Sequence, residues 1–324
     1  MMNKQDALSA WKAILSGRKP LLSIELTKEC PLRCPGCYAY DDQHLGGGTT
    51  LRQLTDSRGD ELVARVLAVV DELRPLHLSI VGGDPLVRFR ELKVLLPQLA
   101  ERDIYVQLVT SAFRQIPQEW ASLPRFKLVV SIDGLQPEHD ARRKPATYER
   151  ILKSIEGHRI TMHSTITSMM LQEPDYLERF IGYWNDREET NQIWMSIFTP
   201  QVGADNLETP SDEQRQFAIK ELLRLLPRYP KLDMSERMIR QFAKPPHSPQ
   251  GCVFAQTTET ISADLKTRIN PCQFGGNPDC SRCGCAASMG LNALAEKSVA
   301  GVPLRKIFQI SNVVGDAVRR AKAA

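Results

Sequence analysis

The segment LLSIELTKECPLRCPGC, residues 21–37, joins a short apolar run to three closely spaced cysteines. Leu21–Leu26 is rich in leucine and isoleucine and predicts a buried β-strand. Three residues separate Cys30 from Cys34, and two separate Cys34 from Cys37. Thiolates at these spacings can bind three corners of an iron–sulfur cube, although such a cluster usually takes four cysteines. One iron is then open to an exogenous ligand, as a catalytic zinc keeps one position for substrate.

Predicted strands and helices alternate along the chain after the cysteine loop. Helices are predicted at 60–73, 89–102, 147–158 and 174–185, and strands at 76–81, 104–109, 127–132, 160–167 and 193–198. With the first strand this makes about six strands separated by helices, the pattern of an α/β fold with a parallel sheet. The number is short of the eight units of a full TIM barrel, so we predict a partial (β/α)6 TIM-like barrel.

Candidate functional residues follow the predicted strands at their carboxyl ends, where chemistry collects in parallel α/β sheets. We therefore expect one shared mouth to contain Cys30, Gly82, Thr110, Asp133 and Thr199. By their spacing alone, the three cysteines also fit half of a zinc site or three unrelated core thiols. Their position behind the first strand of a βα series favours a cluster.

Composition and charge exclude several classes of protein. The chain has 324 residues, of which 42% are hydrophobic and 25% charged, as in soluble globular proteins. No apolar run approaches the roughly 18–20 residues that span a bilayer, and the first residues lack the pattern of a secretory signal. We therefore expect a cytoplasmic protein without a membrane span. The net charge of +4 is spread along the chain, so no nucleic-acid partner is predicted.

The eight cysteines fall into two groups with none between them. Three lie within residues 30–37, and the other five are Cys252, Cys272, Cys280, Cys283 and Cys285. In a small secreted protein such spacing would indicate disulfides, whereas in a mid-sized cytosolic chain it indicates metal or redox chemistry. A β-hairpin is predicted within the second group, with arms at 260–263 and 267–270.

The first cysteine loop resembles the signature loop of the radical S-adenosylmethionine (SAM) superfamily. In that family SAM is the fourth ligand of a [4Fe-4S] cluster. One electron from the cluster cleaves the sulfonium, and the resulting 5′-deoxyadenosyl radical abstracts a hydrogen atom from the substrate. The resemblance implies that Cys30, Cys34 and Cys37 bind the cluster. The family often has an aromatic residue before the third cysteine, whereas this chain has Gly36 there and Tyr38 directly after it, so we assign Tyr38 to the cofactor site.

The turn VGGDP, residues 81–85, resembles the family's Gly-Gly-Glu-Pro motif, whose backbone meets the amino group of SAM. The resemblance implies cofactor contacts from Gly82, Gly83 and Asp84, with Asp84 in place of the usual glutamate. Because the contact comes largely from backbone, we expect function to survive this change. The same letters are also typical of a plain turn.

A further match is SIDG, residues 131–134, followed by HDARR, residues 139–143. This stretch is similar to one in radical SAM enzymes that carry a C-terminal SPASM or twitch extension. The resemblance implies that Ser131 touches the ribose or methionine part of SAM, and that Arg143 pairs with its carboxylate through a guanidinium fork. Asp133 is expected to hold the turn or to meet the ligand. The alternative is an Asp-Gly turn beside a solvated basic run.

Two shorter segments extend the resemblance. TSA at 110–112 stands where such enzymes usually have Thr-Asn-Gly, and TPQVG at 199–203 resembles a Pro-x-Gly loop near the adenine. Together the matches cover about residues 21–203 and occur in the family's order.

The second cysteine group resembles the SPASM/twitch module, which holds one or two auxiliary clusters. Five cysteines cannot ligate two four-coordinate clusters, so we expect one auxiliary [4Fe-4S] cluster and one spare thiol, which the sequence does not identify. No cysteine follows Cys285, which favours a shortened module. The spacing of Cys280 and Cys283 is also typical of a zinc ribbon.

These patterns predict four segments. They are an N-terminal helical lead-in at 1–20, a radical SAM partial barrel at 21–205, a helical segment and linker at 206–250, and a cysteine-rich auxiliary-cluster module with a C-terminal helix at 251–324. The helix of the third segment is predicted over 209–229 from the capping pattern at its start.

The predicted function is a radical SAM enzyme that cleaves SAM reductively and abstracts a hydrogen atom from an unidentified substrate. Only about thirty residues precede Cys30, too few for a peptide-recognition domain. This favours a small molecule, a lipid or sugar precursor, or a peptide delivered by a separate protein. The electron is expected from a reductase such as flavodoxin or ferredoxin, and no catalytic side chain is assigned. The alternatives are a maturase of a ribosomal peptide and, outside enzymes, an iron–sulfur electron-transfer or zinc-binding interaction protein.

Overall fold

The computed structural model describes residues 4–204, 206–299 and 301–323, so Met1–Asn3 of the predicted lead-in and Ala324 of the predicted module lie outside it. Its strands are β1 (Leu21–Glu25), β2 (His77–Val81), β3 (Tyr105–Thr110), β4 (Phe126–Ser131), β5 (Ile160–Ile166), β6 (Thr190–Ile197), β7 (Thr258–Ile261), β8 (Ser298–Val299) and β9 (Val302–Pro303). Its helices are α1 (Lys4–Leu15), α2 (Gly59–Leu73), α3 (Phe89–Ala100), α4 (Glu138–Arg142), α5 (Tyr148–Ile155), α6 (Tyr176–Asp186), α7 (Asp212–Leu225), α8 (Glu236–Gln241), α9 (Val253–Thr257), α10 (Ala286–Ala295) and α11 (Leu304–Ala323).

One parallel sheet organises the fold. Its strand order is β6-β5-β4-β3-β2-β1-β7, and every neighbouring pair is parallel. The sheet stays open because β6 and β7 are its two edges. The predicted α/β fold with a partial barrel is therefore confirmed. The short pair β8–β9 is separate and antiparallel.

The seventh strand was not predicted as part of the barrel. The first arm of the predicted hairpin forms β7, which pairs with β1 from Leu21 opposite Thr258 to Ile24 opposite Ile261. The second arm pairs antiparallel with this strand through a bridge between Arg268 and Ile261. The N–H of Ile269 donates to the carbonyl of Thr260 over 2.9 Å, and the N–H of Ser262 donates to the carbonyl of Thr267 over 2.8 Å. The predicted hairpin is thus confirmed, and its first arm also joins the parallel sheet beside β1, because alternation in sequence does not specify which distant edge a strand extends.

The two faces of the sheet differ in polarity. The face toward the helices is apolar, and Leu22, Ile24, Leu78 and Ile80 are at most 1% exposed. Each such side chain contributes about 1.5–3 kcal/mol when fully buried. The opposite face carries polar side chains in register on neighbouring strands. This gives the interior of the partial barrel a surface suited to polar ligands.

The inner row of polar residues is set by the pairing of the strands. Ser23 lies beside Ser79, and Ser79 lies beside Gln107. Side chains at paired positions of a parallel sheet point to the same face. All three therefore point away from the apolar layer formed by the helices.

The C-terminal segment packs against the open edge of the sheet. The N–H of Ile197 donates to the carbonyl of Gly284 over 2.9 Å, and the N–H of Ala286 donates to Ser196 Oγ over 3.2 Å. Helix α10 therefore begins directly beside β6. These contacts bring the second cysteine group to the same end of the sheet as the first.

The N- and C-terminal helices contact each other at two glycines. Gly17 follows α1, and a Cβ atom on Gly315 of α11 would lie 2.1 Å from the carbonyl oxygen of Ile14. The rings of Trp11 and Phe308 stack with centroids 5.0 Å apart. The lead-in helix thus packs on the last helix of the chain.

Helix α7 begins later than predicted, at Asp212. Ser211 is its N-cap, because Ser211 Oγ accepts from the N–H of Gln214 and the Gln214 side chain accepts from the N–H of Ser211. This reciprocal pair is a capping box, which fixes the start of the helix.

Within the described residues, no helix is both long enough and apolar enough to cross a membrane.

Candidate functional site

The three cysteines of the first group lie in the loop after β1, at the carboxyl edge of the sheet. Burial raises the pKa of Cys30 to about 12, and the nearby Asp84, Cys34 and Cys37 raise it further, against a hydrogen bond from the N–H of Leu32. Burial and Cys34 also raise the pKa of Cys37. These thiols release their protons readily only beside a strong positive charge such as bound iron.

Gly36 allows the cysteine loop to pass close to the end of β6. Its φ of 62° is left-handed, and a Cβ atom there would lie 2.8 Å from the ring of Phe198. A bulky side chain at this position would collide with that ring. Close packing against Phe198 therefore explains why this chain has glycine where the family often has an aromatic residue.

The Gly82-Gly83 turn packs directly on the start of the cysteine loop. A Cβ on Gly82 would lie 2.1 Å from Cβ of Glu25, and one on Gly83 would lie 2.1 Å from the carbonyl oxygen of Glu29. The N–H of Asp84 donates to that same carbonyl over 2.9 Å. Only glycine fits such an approach with a positive φ. The turn and the cysteines are thus one structural unit.

The Asp84 side chain joins the ends of β2 and β3. It accepts hydrogen bonds from the N–H of Leu86 over 3.0 Å, from Thr110 Oγ1 over 2.7 Å, and from both the N–H and Oγ of Ser111 over 2.9 and 2.5 Å. Burial raises the pKa of Asp84, and these hydrogen bonds oppose the rise. Its carboxylate is fully engaged within the protein, so a contact to a cofactor would come from its backbone.

Two arginines converge on Asp133, which follows β4 in the sequence. Arg143 Nε donates to Asp133 Oδ2 over 2.5 Å, and Arg142 Nη1 donates to the same oxygen. Burial disfavours the charged carboxylate, but Arg143 and Arg142 outweigh burial and hold the pKa of Asp133 well below its usual range. Arg142 also donates to Glu208 over 2.5 Å and to the carbonyl of Pro35 over 3.0 Å. It thereby ties the cysteine loop to two other loops.

The predicted SAM ligands of this region lie near the cysteines. The charges of Cys34 and Cys37 act on Arg143 and, with Asp133, raise its pKa against burial. Ser131 ends β4 and pairs with His163 of β5. These positions bring Ser131, Asp133 and Arg143 to the mouth that holds the cysteines. Their contacts with SAM remain a prediction.

Tyr38 is half-buried and lies between the two cysteine groups. Burial raises its pKa, and the charges of Cys37, Cys285 and Cys272 act in the same direction. Its ring meets that of Phe274 edge-on, with centroids 5.3 Å apart. The chain thus places residues of both groups around one aromatic side chain.

A buried acid–base pair, missed by sequence reasoning, lies beside Tyr38. His44 Nε2 is 2.8 Å from Glu25 Oε1, and His44 Nδ1 is 2.9 Å from the carbonyl oxygen of Phe274. Ser262 Oγ donates to the other oxygen of Glu25 over 2.6 Å. Glu25, within the predicted buried strand 21–26, was the sequence feature that pointed to it, because charged residues are rarely buried without a partner.

The five cysteines of the second group line one cavity, together with residues that include Thr199, Phe254, Phe274 and Ser288. Burial raises the pKa of Cys272 to about 12 and that of Cys280 to about 11. In the described part of the chain, no three Cys, His, Asp or Glu side chains surround a point as the ligands of a single metal ion do. Thiols distributed around a cavity fit an iron–sulfur cluster, in which each sulfur binds a different iron.

The comparison with protein families gives the class of this chain. Residues 24–181 match the model of the Radical SAM superfamily. Residues 24–181 of the chain therefore form a radical SAM domain. The cofactors of that superfamily are a [4Fe-4S] cluster and SAM. The three half-buried thiols at the mouth of the sheet are a donor set that fits the cluster.

Individual relatives are distant. The chain is 24% identical over 221 residues to the PqqA peptide cyclase of Bradyrhizobium diazoefficiens, a match that covers 67% of this chain and 53% of the relative. This chain therefore spans about half the length of that protein.

Two solved structures share the fold. Streptococcus suis SuiB bound to precursor peptide SuiA has a TM-score of 0.56 at 16% identity, over 80% of this chain and 61% of that one. The anSMEcpe structure with bound AdoMet also has a TM-score of 0.56, at 15% identity, over 90% of this chain and 83% of that one. At these identities the likeness establishes the fold and no more.

Proposed function

We propose that this protein cleaves SAM reductively at the Cys30–Cys37 loop and abstracts a hydrogen atom from a peptide. The observation that carries the proposal is the contact between this loop and the Gly82-Gly83 turn, through the hydrogen bond from the Asp84 N–H to the Glu29 carbonyl. Bound there, the cluster and SAM supply the electron transfer that starts the radical chemistry. The protein's own residues hold, orient and shield these groups.

In this proposal Arg143 would pair with the carboxylate of SAM while it also contacts Asp133. Its guanidinium donates a hydrogen bond to Asp133 and interacts electrostatically with Cys34 and Cys37. A second carboxylate can pair with the free edge of the guanidinium, since the group has five donors. Arg142 remains on Asp133 and keeps that carboxylate neutralised.

A peptide is the proposed substrate class because the relatives point to it. The curated relative is named a peptide cyclase, and SuiB is seen with a precursor peptide. An open polar cleft lies beside the cysteine sites, lined by Gln201, Asn206, Gln214 and Arg282 among others. Amide and guanidinium groups of this kind hydrogen bond to peptide backbone as readily as to side chains. A peptide maturase is therefore preferred here over the small molecule that the length of the lead-in suggested.

The second cysteine group is proposed to hold one auxiliary [4Fe-4S] cluster in a shortened SPASM/twitch-like module. The five thiols around one cavity support this assignment. Reduction by a flavodoxin or ferredoxin and a cytoplasmic location belong to the same proposal.

The test is an assay for 5′-deoxyadenosine with protein that is purified anaerobically, reconstituted with iron and sulfide, and incubated with dithionite and SAM. Wild-type protein should release 5′-deoxyadenosine, and Cys34→Ala should not. Ser9→Ala, in helix α1, which packs on α11, serves as a control that should retain the activity. Equal release by wild type and Cys34→Ala would contradict the proposal.

A further inference from the structure

Helix α10 carries two buried polar side chains next to the cavity of the second cysteine group. Ser288 is 2% exposed and Asn292 is fully buried. They are four residues apart in one helix, so they lie on the same face, one turn from each other. Ser288 lines the cysteine cavity. Polar side chains buried this deeply require hydrogen-bond partners.

The orientation of the Asn292 amide follows from its neighbours. Asn292 Nδ2 lies 2.8 Å from the carbonyl oxygen of Ser288 and 3.3 Å from Ser288 Oγ. A carbonyl oxygen only accepts hydrogen bonds, so the NH2 group of the amide must face Ser288. Asn292 Oδ1 then points the other way, where no described residue bonds to it.

This orientation determines what the Ser288 hydroxyl can do. Its oxygen accepts from Asn292, so its own proton is free for another acceptor. Cys252 Sγ lies 3.1 Å from Ser288 Oγ, and Asn292 Nδ2 lies 3.8 Å from the same sulfur. A sulfur bound to iron is a thiolate and can only accept. In that state the hydroxyl donates and the sulfur accepts.

Ser288 also reaches other sulfurs of the cavity. Burial raises the pKa of Cys283 and of Cys285, and Ser288 opposes the rise through its side chain at Cys283 and its backbone N–H at Cys285. Ser288 is therefore placed among three sulfurs of the group.

We propose that Ser288, oriented by Asn292, donates a hydrogen bond to the Cys252 sulfur and thereby raises the reduction potential of the auxiliary cluster. The inference rests on the proposed function, which places a cluster in this cavity. Reduction adds one electron and makes the cluster and its thiolates more negative. A hydrogen bond to a ligating sulfur stabilises that state more than the oxidised one, and such bonds are among the factors that set cluster potentials. No proton changes place in this step. Asn292 is a positioning residue, since it acts through Ser288.

The test measures the potential of the auxiliary cluster alone. The full chain with Cys34→Ala removes one ligand of the first site, and the remaining signal is titrated with dithionite and followed by electron paramagnetic resonance. Adding Ser288→Ala should shift the midpoint potential to a more negative value. Asn292→Ala should shift it in the same direction by a smaller amount. Ser288→Thr, which keeps the hydroxyl, should stay closer to the parent value.

A matched control is Ser154→Ala. Ser154 is 1% exposed like Ser288, but its hydroxyl donates to the carbonyl of Arg114 in another part of the fold. Its loss should leave the potential unchanged. An exchangeable proton coupled to the cluster should also be present in the parent, by electron–nuclear double resonance in H2O against D2O, and be weakened in Ser288→Ala.

The outcomes separate this inference from the function on which it rests. If iron and sulfide analysis of the Cys34→Ala protein finds no cluster, the auxiliary cluster itself is refuted. If the cluster is present and neither Ser288→Ala nor Asn292→Ala moves its potential, the role of Ser288 is refuted. If Ser288→Ala alone fails to retain iron, the potential of Asn292→Ala decides.

Discussion

At the scale of single residues, two departures from the family's pattern contact each other. Asp84 stands in place of a glutamate and Ser111 in place of an asparagine, and Ser111 donates two hydrogen bonds to the Asp84 carboxylate. Asp84 is shorter than glutamate, and Ser111 is shorter than asparagine. The two residues hydrogen bond to each other and so keep the ends of β2 and β3 joined.

Replacing Asp84 by Asn tests this joint. An amide of the same size has one acceptor oxygen, so its NH2 group must face donors such as Ser111 or Thr110. The free energy of unfolding should fall by about 2–4 kcal/mol, the cost of leaving buried donors without acceptors. Asp42→Asn, at an exposed aspartate, should change it by less than about 0.5 kcal/mol. Equal effects in urea denaturation would contradict the role assigned to Asp84.

The Glu25–His44 pair gives a second prediction, because its strength depends on pH. Burial alone lowers the pKa of His44, but the hydrogen bond and charge of Glu25 outweigh burial and raise it above the usual value. A raised folded pKa stabilises the fold fully below the unfolded pKa, and this stabilisation is lost as pH rises through the folded pKa. His44→Gln should therefore cost more stability at pH 6 than at pH 9.

The expected loss at pH 6 is about 3–5 kcal/mol, the range for removing one partner of a buried pair. His247→Gln is the matched control, since His247 is exposed, and it should change stability by less than about 0.5 kcal/mol. A His44→Gln effect that is the same at both pH values would show that the pair is not charged in the folded protein.

At the scale of helices and strands, local periodicity predicted most of the individual strands and helices but not the pairing of β7 with β1. The six strands and the helices between them follow from hydrophobic spacing, and their observed ends differ from the predicted ones by a few residues. The pairing of β7 with β1 joins Ile24 to Ile261. Nothing in the local sequence of residues 258–261 specifies which edge of the sheet that strand extends. The position of β7 in the sheet could therefore not be predicted from the sequence.

The contact of α1 with α11 can be tested with two helical glycines. Gly315→Ala places a Cβ atom 2.1 Å from the Ile14 carbonyl oxygen and should destabilise the protein by about 1–3 kcal/mol through overpacking. Gly290→Ala, in α10, meets only the sulfur of Met238 at 3.7 Å and should stabilise it by about 0.5–1 kcal/mol. Thermal unfolding of both variants measures the difference. A stabilising Gly315→Ala would mean that the two helices do not pack as described.

At the scale of the whole molecule, the two cysteine groups lie around one aromatic residue. The sequence indicated each group by its spacing, and the family match supports the cofactor of the first. The sequence did not predict that His44 would bond to Phe274, because 230 positions separate them. Nor did it predict the partners of Arg142, which ties the cysteine loop to Glu208. Such contacts depend on the packing of distant segments and not on any local pattern.

Reductive cleavage of SAM at the Cys30–Cys37 loop is measured by the release of 5′-deoxyadenosine from the reconstituted, reduced protein. Wild-type protein should release 5′-deoxyadenosine, and Cys34→Ala should give background levels. Wild-type protein that binds iron and sulfide but releases no 5′-deoxyadenosine, with or without candidate peptides, would contradict this expectation.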